Sequence, residues 1–217
     1  MIPTLDSVNV KDKTVFIRLD LNSSYDTKRK KILDNERFDG SKQTLLELSK
    51  KKAKVVILAH QGRRGEEDFT HLDQHAKILS KKIRKSIFYV GDVCGEKAKH
   101  VIRSLKPGEI LLLDNVRMLD DEEDEKKALS GESALVRELS SFVDVFVNDA
   151  FSVSHRAHAS VVGFTRMPSC FGRLMESELE SVEKAMDAKG VNTYILGGAK
   201  SDDCINIMDH ILKVNPD

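Results

Sequence analysis

The segment from Val55 to Arg64 reads VVILAHQGRR and decides the fold class. Its apolar half, Val55–Ala59, is rich in β-branched residues and lacks polar alternation, as is typical of a strand that is covered on both faces in a parallel sheet. The polar half then supplies a histidine, a glycine and two arginines at the carboxyl end of that strand. Because open parallel sheets bind ligands beyond these carboxyl ends, the segment predicts a parallel sheet with a basic site at its edge.

Other apolar runs share these features, and stretches with helical periodicity separate them. We predict further strands at Val15–Leu19, Ile87–Val90, Ile110–Leu113, Val143–Val147 and Tyr194–Leu196. We predict helices over Ser41–Lys51, Thr70–Ile83, Glu96–Leu105, Glu125–Leu139 and Leu174–Ala188. The helix that follows Val55–Arg64 opens with a capping box, Thr70 to Asp73. The repeated β-α pattern predicts an α/β fold: a Rossmann-like, doubly wound, mainly parallel sheet with helices on both faces.

Composition excludes several classes of function. Lys+Arg and Asp+Glu both number 35 among the 217 residues, so no net charge attracts nucleic acid or a membrane surface. The three cysteines are scattered, which argues against a disulfide framework or a zinc knuckle. No apolar run approaches the roughly 18 residues that a membrane span needs. We expect a cytoplasmic protein with no protein-bound metal.

Basic, acidic and amide side chains follow the predicted strands repeatedly. The candidates are Asp20, Asn22, His60, Arg63, Arg117, Asp149 and Arg156, with Arg37 in a loop before the first long helix. Guanidinium groups bind phosphate or carboxylate oxygens in pairs. A single arginine, such as Arg18 or Arg64, is more commonly a solvated or salt-bridged surface residue. Four strand ends with the same pattern favour a pocket for a small, multiply charged anion, in which Asp20 and Asp149 could orient the arginines or accept a substrate hydroxyl.

Five segments resemble motifs of phosphoglycerate kinase, and they occur in that family's order. They are RLDLN (residues 18–22), AHQGRR (59–64), PGEILLLDNVRM (107–118), VNDAFSVSHRAHASVVGF (147–164) and LGGAK (196–200). The second of these is more similar to the archaeal branch of the family. The resemblance implies a 3-phosphoglycerate-binding domain over residues 1–173, an interdomain helix and hinge over 174–189, and the first strand-helix unit of a nucleotide-binding domain over 190–217.

The resemblance also implies a role for each matching residue. Asp20 and Asn22 would contact the hydroxyl and carboxylate end of the substrate. Its phosphate would be held by His60, Arg63, Arg117 and Arg156. Arg37 would lie beside the carboxyl group that receives the phosphoryl group, and Lys200 would neutralise that group from the nucleotide side. Arg37 and Lys200 are therefore the expected catalytic residues, and Gly197, Gly198 and Lys200 the expected nucleotide-binding residues.

The function implied is phosphoryl transfer between 1,3-bisphosphoglycerate with ADP and 3-phosphoglycerate with ATP, with Mg²⁺ accompanying the nucleotide. Most of the nucleotide site would belong to a second domain that the matched segments do not include. We therefore expect this chain, as a monomer, to bind 3-phosphoglycerate without turnover. Two alternatives stay open: a stand-alone anion-binding or regulatory module, and one half of a split kinase.

Three other features receive structural interpretations. His71 and His75 have helical i, i+4 spacing, but no third metal ligand is evident, so we interpret them as a solvated helix face. The acidic run Asp120–Lys127 is interpreted as a surface that compensates a helix dipole. Cys94 and Cys170 have no adjacent base and are interpreted as packing residues.

Overall fold

The computed structural model describes residues 3–186 and, beyond them, only residues 193, 195, 205, 208, 209, 212 and 213. The chain forms two compact units, Met1–Glu180 and Ser181–Asp217. The first unit contains the sheet, and the described part of the second contains the end of a helix. The predicted strand Tyr194–Leu196 falls largely outside the described residues, and the domain limits at residues 173 and 189 stay predictions.

Within the described residues, six parallel strands form one sheet in the order β5-β6-β4-β1-β7-β8. They are β1 (Thr14–Leu19), β4 (Lys54–Leu58), β5 (Phe88–Tyr89), β6 (Ile110–Leu112), β7 (Val145–Asp149) and β8 (Ser169–Phe171). A small antiparallel pair, β2 (Tyr25–Asp26) and β3 (Lys31–Ile32), lies outside it. Since every pairing in the large sheet is parallel, the carboxyl ends of its strands share one edge. The predicted parallel sheet is confirmed.

Helices cover both faces of the sheet, as predicted. They are α1 (Glu36–Gly40), α2 (Lys42–Lys50), α3 (Asp73–Ile83), α4 (Glu96–Ser104), α5 (Glu125–Ser130), α6 (Ala134–Leu139), α7 (Ala159–Val162) and α8 (Arg173–Met186). On β1, Val15 and Ile17 pack in one core with side chains of α2 and α3. Phe16, between them, packs in a second core with side chains of α4, α5, α6 and α7. The period of two along a strand produces these two cores, and each fully buried aliphatic side chain contributes roughly 2 kcal/mol.

The second core has an aromatic centre. The Phe16 and Phe164 rings meet edge to face with centroids 5.6 Å apart, and the Phe146 and Phe164 centroids are 5.8 Å apart. All three side chains are buried. Phe164 comes from the segment after α7, so these contacts hold that segment against β1 and β7.

Two helix boundaries differ from prediction for local reasons. The capping box at Thr70 is wrong: α3 begins at Asp73, because the Leu72 amide donates to the carboxylate of Asp114 at 3.1 Å instead. The predicted helix over Glu125–Leu139 is divided into α5 and α6. Gly131 ends α5 with a φ of 81°, a left-handed conformation that glycine adopts without a steric penalty.

The interpretation of His71 and His75 as one solvated helix face is wrong for His75, whereas His71 is exposed as predicted but does not belong to the helix. His71 precedes α3, and its Nδ1 lies 2.5 Å from Oδ2 of Asp114. His75 is on α3 but completely buried, with Nε2 3.1 Å from Oε1 of Gln61. Its pKa is lowered to about 4, because burial penalises the charged imidazolium. His75 is therefore a neutral core histidine.

Cys94 and Cys170 are both buried and free, as the packing interpretation predicts. Burial raises the pKa of the Cys94 thiol to about 11 and that of the Cys170 thiol to about 12. A thiol with so high a pKa carries almost no nucleophilic thiolate at neutral pH.

Candidate functional site

The segments that follow β1, β4, β6 and β7 line one pocket of about 570 Å³ at the carboxyl edge of the sheet. All seven predicted substrate-binding residues line it: Asp20, Asn22, Arg37, His60, Arg63, Arg117 and Arg156. Residues that the sequence analysis did not single out also contribute, among them Gly62 and Ser152. The volume falls within the range of small-molecule sites.

Gly62 joins three of these segments at the end of β4. Its φ of +66° is left-handed, and a Cβ at this position would lie 2.5 Å from the backbone of Asp68. The Gly62 amide donates to Oδ1 of Asn22 at 2.9 Å, and its carbonyl accepts from Nη1 of Arg117 at 2.6 Å. A side chain here would collide with Asp68 and would be strained by the left-handed φ, so glycine suits the point at which these contacts meet.

Buried amide side chains hydrogen-bond the backbone of the segments that line the pocket and so hold those segments together. Gln61 is fully buried; its Oε1 accepts from the Ser23 amide at 2.8 Å and its Nε2 donates to the Ser23 carbonyl at 2.9 Å. Asn115 Nδ2 donates to the carbonyls of Gln61 at 2.7 Å and Thr70 at 3.0 Å. Nothing in the local sequence distinguishes these amides from ligand-binding ones, because their partners are remote in the chain.

Arg18 is completely buried, so its interpretation as a solvated or salt-bridged surface residue is wrong. It is 1% exposed and donates from Nη1 to the Leu19 carbonyl at 2.8 Å. Its Nη2 lies 2.9 Å from Nδ1 of His60. Because a guanidinium can only donate, Nδ1 of His60 accepts, and the ring proton is on Nε2. Burial and then Arg18 lower the pKa of His60 to about 2. His60 is a neutral hydrogen-bond donor.

A carboxylate-centred contact joins opposite sides of the pocket. Asp20, just after β1, accepts hydrogen bonds from the Arg37 guanidinium and from the Ser152 hydroxyl. Its other oxygen accepts from the Asn22 amide at 3.1 Å. The prediction that Arg37 lies in a loop is wrong: it is the second residue of α1, whose N-cap Asn35 accepts from the Arg37 amide at 3.0 Å and so starts the helix here. Arg37 contacts Asp20 through Nη1 alone, so a ligand carboxylate that accepts from two guanidinium nitrogens would compete with Asp20 for Arg37.

The pocket has a buried positive charge in its interior and exposed negative charges at its rim. Arg117 is 9% exposed, and its Nε forms an ion pair with Glu123 at 2.9 Å. Glu66 and Glu67, which also line the pocket, are exposed to solvent. Water screens the exposed carboxylates more than the buried guanidinium, so the interior of the pocket favours an anion although acidic residues stand at its rim.

A second pocket of about 520 Å³ shares Arg63, Arg117 and Arg156 with the first and adds Arg64 and His158. Burial lowers the pKa of His158 to about 4, against the opposing effect of Glu123. The two pockets share these arginines, and the carboxylates of Asp120 and Glu123 also line the second.

One predicted residue, Asp149, lies elsewhere in the structure, and three further predicted residues are not described by it. Asp149 is buried and is not among the residues that line the pocket; its Oδ1 accepts from the Met175 amide at 3.0 Å, where α8 begins. Gly197, Gly198 and Lys200 lie outside the described residues. The prediction that Asp149 orients arginines is therefore wrong, and its carboxylate instead holds the start of α8.

A sequence profile of phosphoglycerate kinase matches residues 5–217. The chain belongs to the phosphoglycerate kinase family. It is 43% identical over 213 residues to the phosphoglycerate kinase of Methanobacterium bryantii, covering 97% of this chain and 52% of that protein. The curated relatives of the chain are mostly archaeal, in agreement with the sequence resemblance.

Solved phosphoglycerate kinases have the same fold. The crystal structure from Pyrococcus horikoshii has a TM-score of 0.91 and 37% identity, covering 98% of this chain and 53% of that one. The structure from Coxiella burnetii has a TM-score of 0.78 and 28% identity, covering 98% and 52%. The chain spans about half the length of the relatives it matches.

Two properties of the described part of the chain concern membranes and metals. No helix in this part of the chain is long and apolar enough to cross a bilayer. Nor do three or more His, Cys, Asp or Glu side chains in this part come together where they could hold a metal ion. The expectation of Mg²⁺ concerns the nucleotide, whose predicted contacts are outside the described residues.

Proposed function

We propose that the pocket at the carboxyl edge of the sheet binds 3-phosphoglycerate for the phosphoryl transfer of a phosphoglycerate kinase. The observation that carries the proposal is the convergence of Arg37, Arg63, Arg117 and Arg156 on one pocket from four separate segments. Membership of the family supplies the reaction. A pocket of this kind suits a ligand with two anionic ends.

The phosphate of the ligand is bound by Arg63, Arg117, Arg156 and His60. Arg117 presents a guanidinium that is already oriented by the Gly62 carbonyl and Glu123, so little conformational entropy is lost on binding. His60 donates from Nε2 as a neutral group, and its contribution is directional rather than coulombic. The Arg18 behind it adds positive charge without touching the ligand.

The carboxylate and hydroxyl end of the ligand is bound by Asp20, Asn22 and Arg37. Asp20 accepts a hydrogen bond from the substrate hydroxyl. Arg37 exchanges its contact with Asp20 for one with the carboxyl group that receives the phosphoryl group. There the guanidinium stabilises the charge that develops during transfer. Catalysis arises from positioning and charge stabilisation, without a covalent intermediate on the protein.

The nucleotide side requires residues beyond this pocket. ATP supplies the phosphoryl group with Mg²⁺ as its counter-ion, and Gly197, Gly198 and Lys200 are the residues of this chain that would face it. We propose the same domain order as in the sequence analysis, with residues 1–173 as the 3-phosphoglycerate-binding domain. The 217-residue chain is then a cytoplasmic monomer that binds 3-phosphoglycerate and does not turn over.

Titration calorimetry of the 217-residue chain with 3-phosphoglycerate tests the binding. We expect saturable 1:1 binding that is stronger than for inorganic phosphate, because phosphate alone leaves Arg37 and Asn22 without contacts. Equal or stronger affinity for a different phosphorylated acid would favour a stand-alone anion-binding module. ATP-dependent turnover in a coupled assay of the same chain would contradict the proposed absence of activity.

A further inference from the structure

Glu122 lies in the acidic run Asp120–Lys127 but is not part of a solvated surface, so that interpretation is wrong for this residue. Its side chain is 1% exposed. Burial raises its pKa to about 7, against the opposing influence of Arg18. A carboxyl group that is buried at this cost requires compensating contacts. Glu122 is not among the residues that line either pocket.

The side chain and the backbone carbonyl of Glu122 both bind the start of α7. Oε1 accepts from the Ser160 hydroxyl at 2.5 Å, and Oε2 accepts from the Ser160 amide at 3.1 Å. The backbone carbonyl of Glu122 accepts from the Ala159 amide at 2.8 Å. Three hydrogen bonds thus join the segment after β6 to the first turn of α7.

The segment that α7 terminates carries part of the pocket. Between β7 and α7 the chain presents Ser152, Val153 and Arg156 to the pocket. Upstream, this segment continues directly from β7, the Ser152 hydroxyl donates to Asp20, and the Arg156 amide donates to the Val153 carbonyl at 3.1 Å. Downstream of Arg156, Glu122 holds the turn that begins α7, so the Glu122 contacts are one of the restraints on the position of Arg156.

Glu122 also acts on the opposite side of the pocket through charge. Apart from burial, the largest influence on the pKa of Arg18 comes from Glu122, and the largest on the pKa of Glu122 comes from Arg18. Arg18 holds Nδ1 of His60 at 2.9 Å. The same carboxyl group thus interacts electrostatically with the buried cation behind His60, while its hydrogen bonds hold the segment that carries Arg156.

We propose that Glu122 is a positioning residue for the anion pocket, acting through Ser160 on the segment that presents Arg156. The inference rests on the proposed function only for the choice of ligand. Positioning predicts that the affinity for 3-phosphoglycerate follows the geometry of the Glu122–Ser160 contact rather than the stability of the fold alone.

Four variants of the full chain test this by calorimetric titration with 3-phosphoglycerate well below the melting temperature. Glu122→Ala removes both side-chain contacts, and we expect affinity to fall about tenfold. Glu122→Asp retains the carboxyl group but shortens its reach, with a similar loss expected. Glu122→Gln can keep both hydrogen bonds to Ser160 and should bind within about threefold of wild type. Ser160→Ala loses only the 2.5 Å contact, and about threefold weaker binding is expected.

Asp144→Asn is the matched control, because Asp144 accepts from the Thr14 amide at 2.7 Å at the opposite end of β1. It should lower the melting temperature and leave affinity unchanged. Wild-type affinity in a folded Glu122→Ala or Glu122→Asp chain would overturn the proposal. If neither folds, Ser160→Ala decides, and wild-type affinity there would overturn it equally. A wild-type chain that does not bind 3-phosphoglycerate would instead overturn the proposed function itself.

Discussion

Nη2 of Arg18 lies 2.9 Å from Nδ1 of His60, and both side chains are buried where β1 and β4 end. The contact links the two central strands of the sheet at the base of the pocket. It assigns the acceptor role to Nδ1 and so leaves Nε2 protonated. A histidine that would be counted as a possible cation from its sequence context is therefore a neutral donor.

This relationship predicts the protonation state of His60 across the physiological range. Since its pKa is lowered to about 2, the ring should remain neutral and protonated at Nε2 from about pH 8 to about pH 5. Nitrogen chemical shifts of the imidazole measure this directly. Arg18→Gln removes the nearby charge and should raise the pKa of His60. A midpoint near pH 6.5 in the wild-type protein would contradict the assignment.

Arg37→Ala should separate binding from folding. Arg37 is about half exposed and is paired with Asp20, so we expect the free energy of unfolding to change by less than about 1 kcal/mol. Affinity for 3-phosphoglycerate should fall about tenfold or more, because a charge-assisted contact to the ligand is lost. Calorimetry and chemical denaturation measure the two effects.

Arg64→Ala is the matched control for Arg37→Ala. Arg64 is similarly exposed and similarly paired with an aspartate, Asp120, but it does not line the first pocket. It should change affinity by less than about threefold. Equal losses in the two variants would mean that general positive charge, and not Arg37 itself, binds the ligand.

His75 should make the fold sensitive to acid. Its folded pKa of about 4 lies below the unfolded value of 6.5, so protons bind preferentially to the unfolded chain. Stability is therefore lost as pH falls from 6.5 to about 4, by roughly 2 kcal/mol at about pH 5. His75→Gln should reduce the difference in unfolding free energy between about pH 7 and about pH 5 by that amount. Identical pH dependence in both proteins would contradict the burial of a neutral His75.

Arg173 should contribute to stability and not to binding. Its guanidinium donates to Glu47 at 2.8 Å through two nitrogens, to Asp6 at 2.7 and 2.8 Å, and to Glu176 at 2.8 Å. These hydrogen bonds, that to Glu47 first, raise its pKa above the ordinary value. Arg173→Lys keeps the charge but loses the planar fork, and we expect about 1–2 kcal/mol of destabilisation.

Lys77→Ala provides the comparison for Arg173→Lys. Lys77 pairs with Asp73 at 3.3 Å on the exposed surface of α3, and its loss should cost less than about 0.5 kcal/mol. Chemical denaturation of both variants gives the two values. A cost for Arg173→Lys as small as that for Lys77→Ala would show that the three-carboxylate cluster adds nothing to the fold.

Apolar runs of the kind found at Val55–Ala59 predicted the central strands to within one or two residues. The reason is local: a strand that is buried on both faces consists of successive apolar residues, whichever strand it pairs with. The short edge strand β8 has no such apolar run, because three residues at an edge are stabilised mainly by their neighbour β7. It was not predicted.

The sequence by itself determined that arginines and polar residues follow parallel strands, and parallel pairing then brings those strand ends to one edge. Which polar side chains turn inward was decided only by the tertiary structure. Arg18, His75 and Glu122 were interpreted as surface residues, yet each is buried against a partner that is distant in the chain: Arg18 and His60 are 42 residues apart, and Glu122 and Ser160 are 38 apart. Periodicity reports the environment of a segment, whereas the satisfaction of a buried charge depends on a partner that only folding brings near.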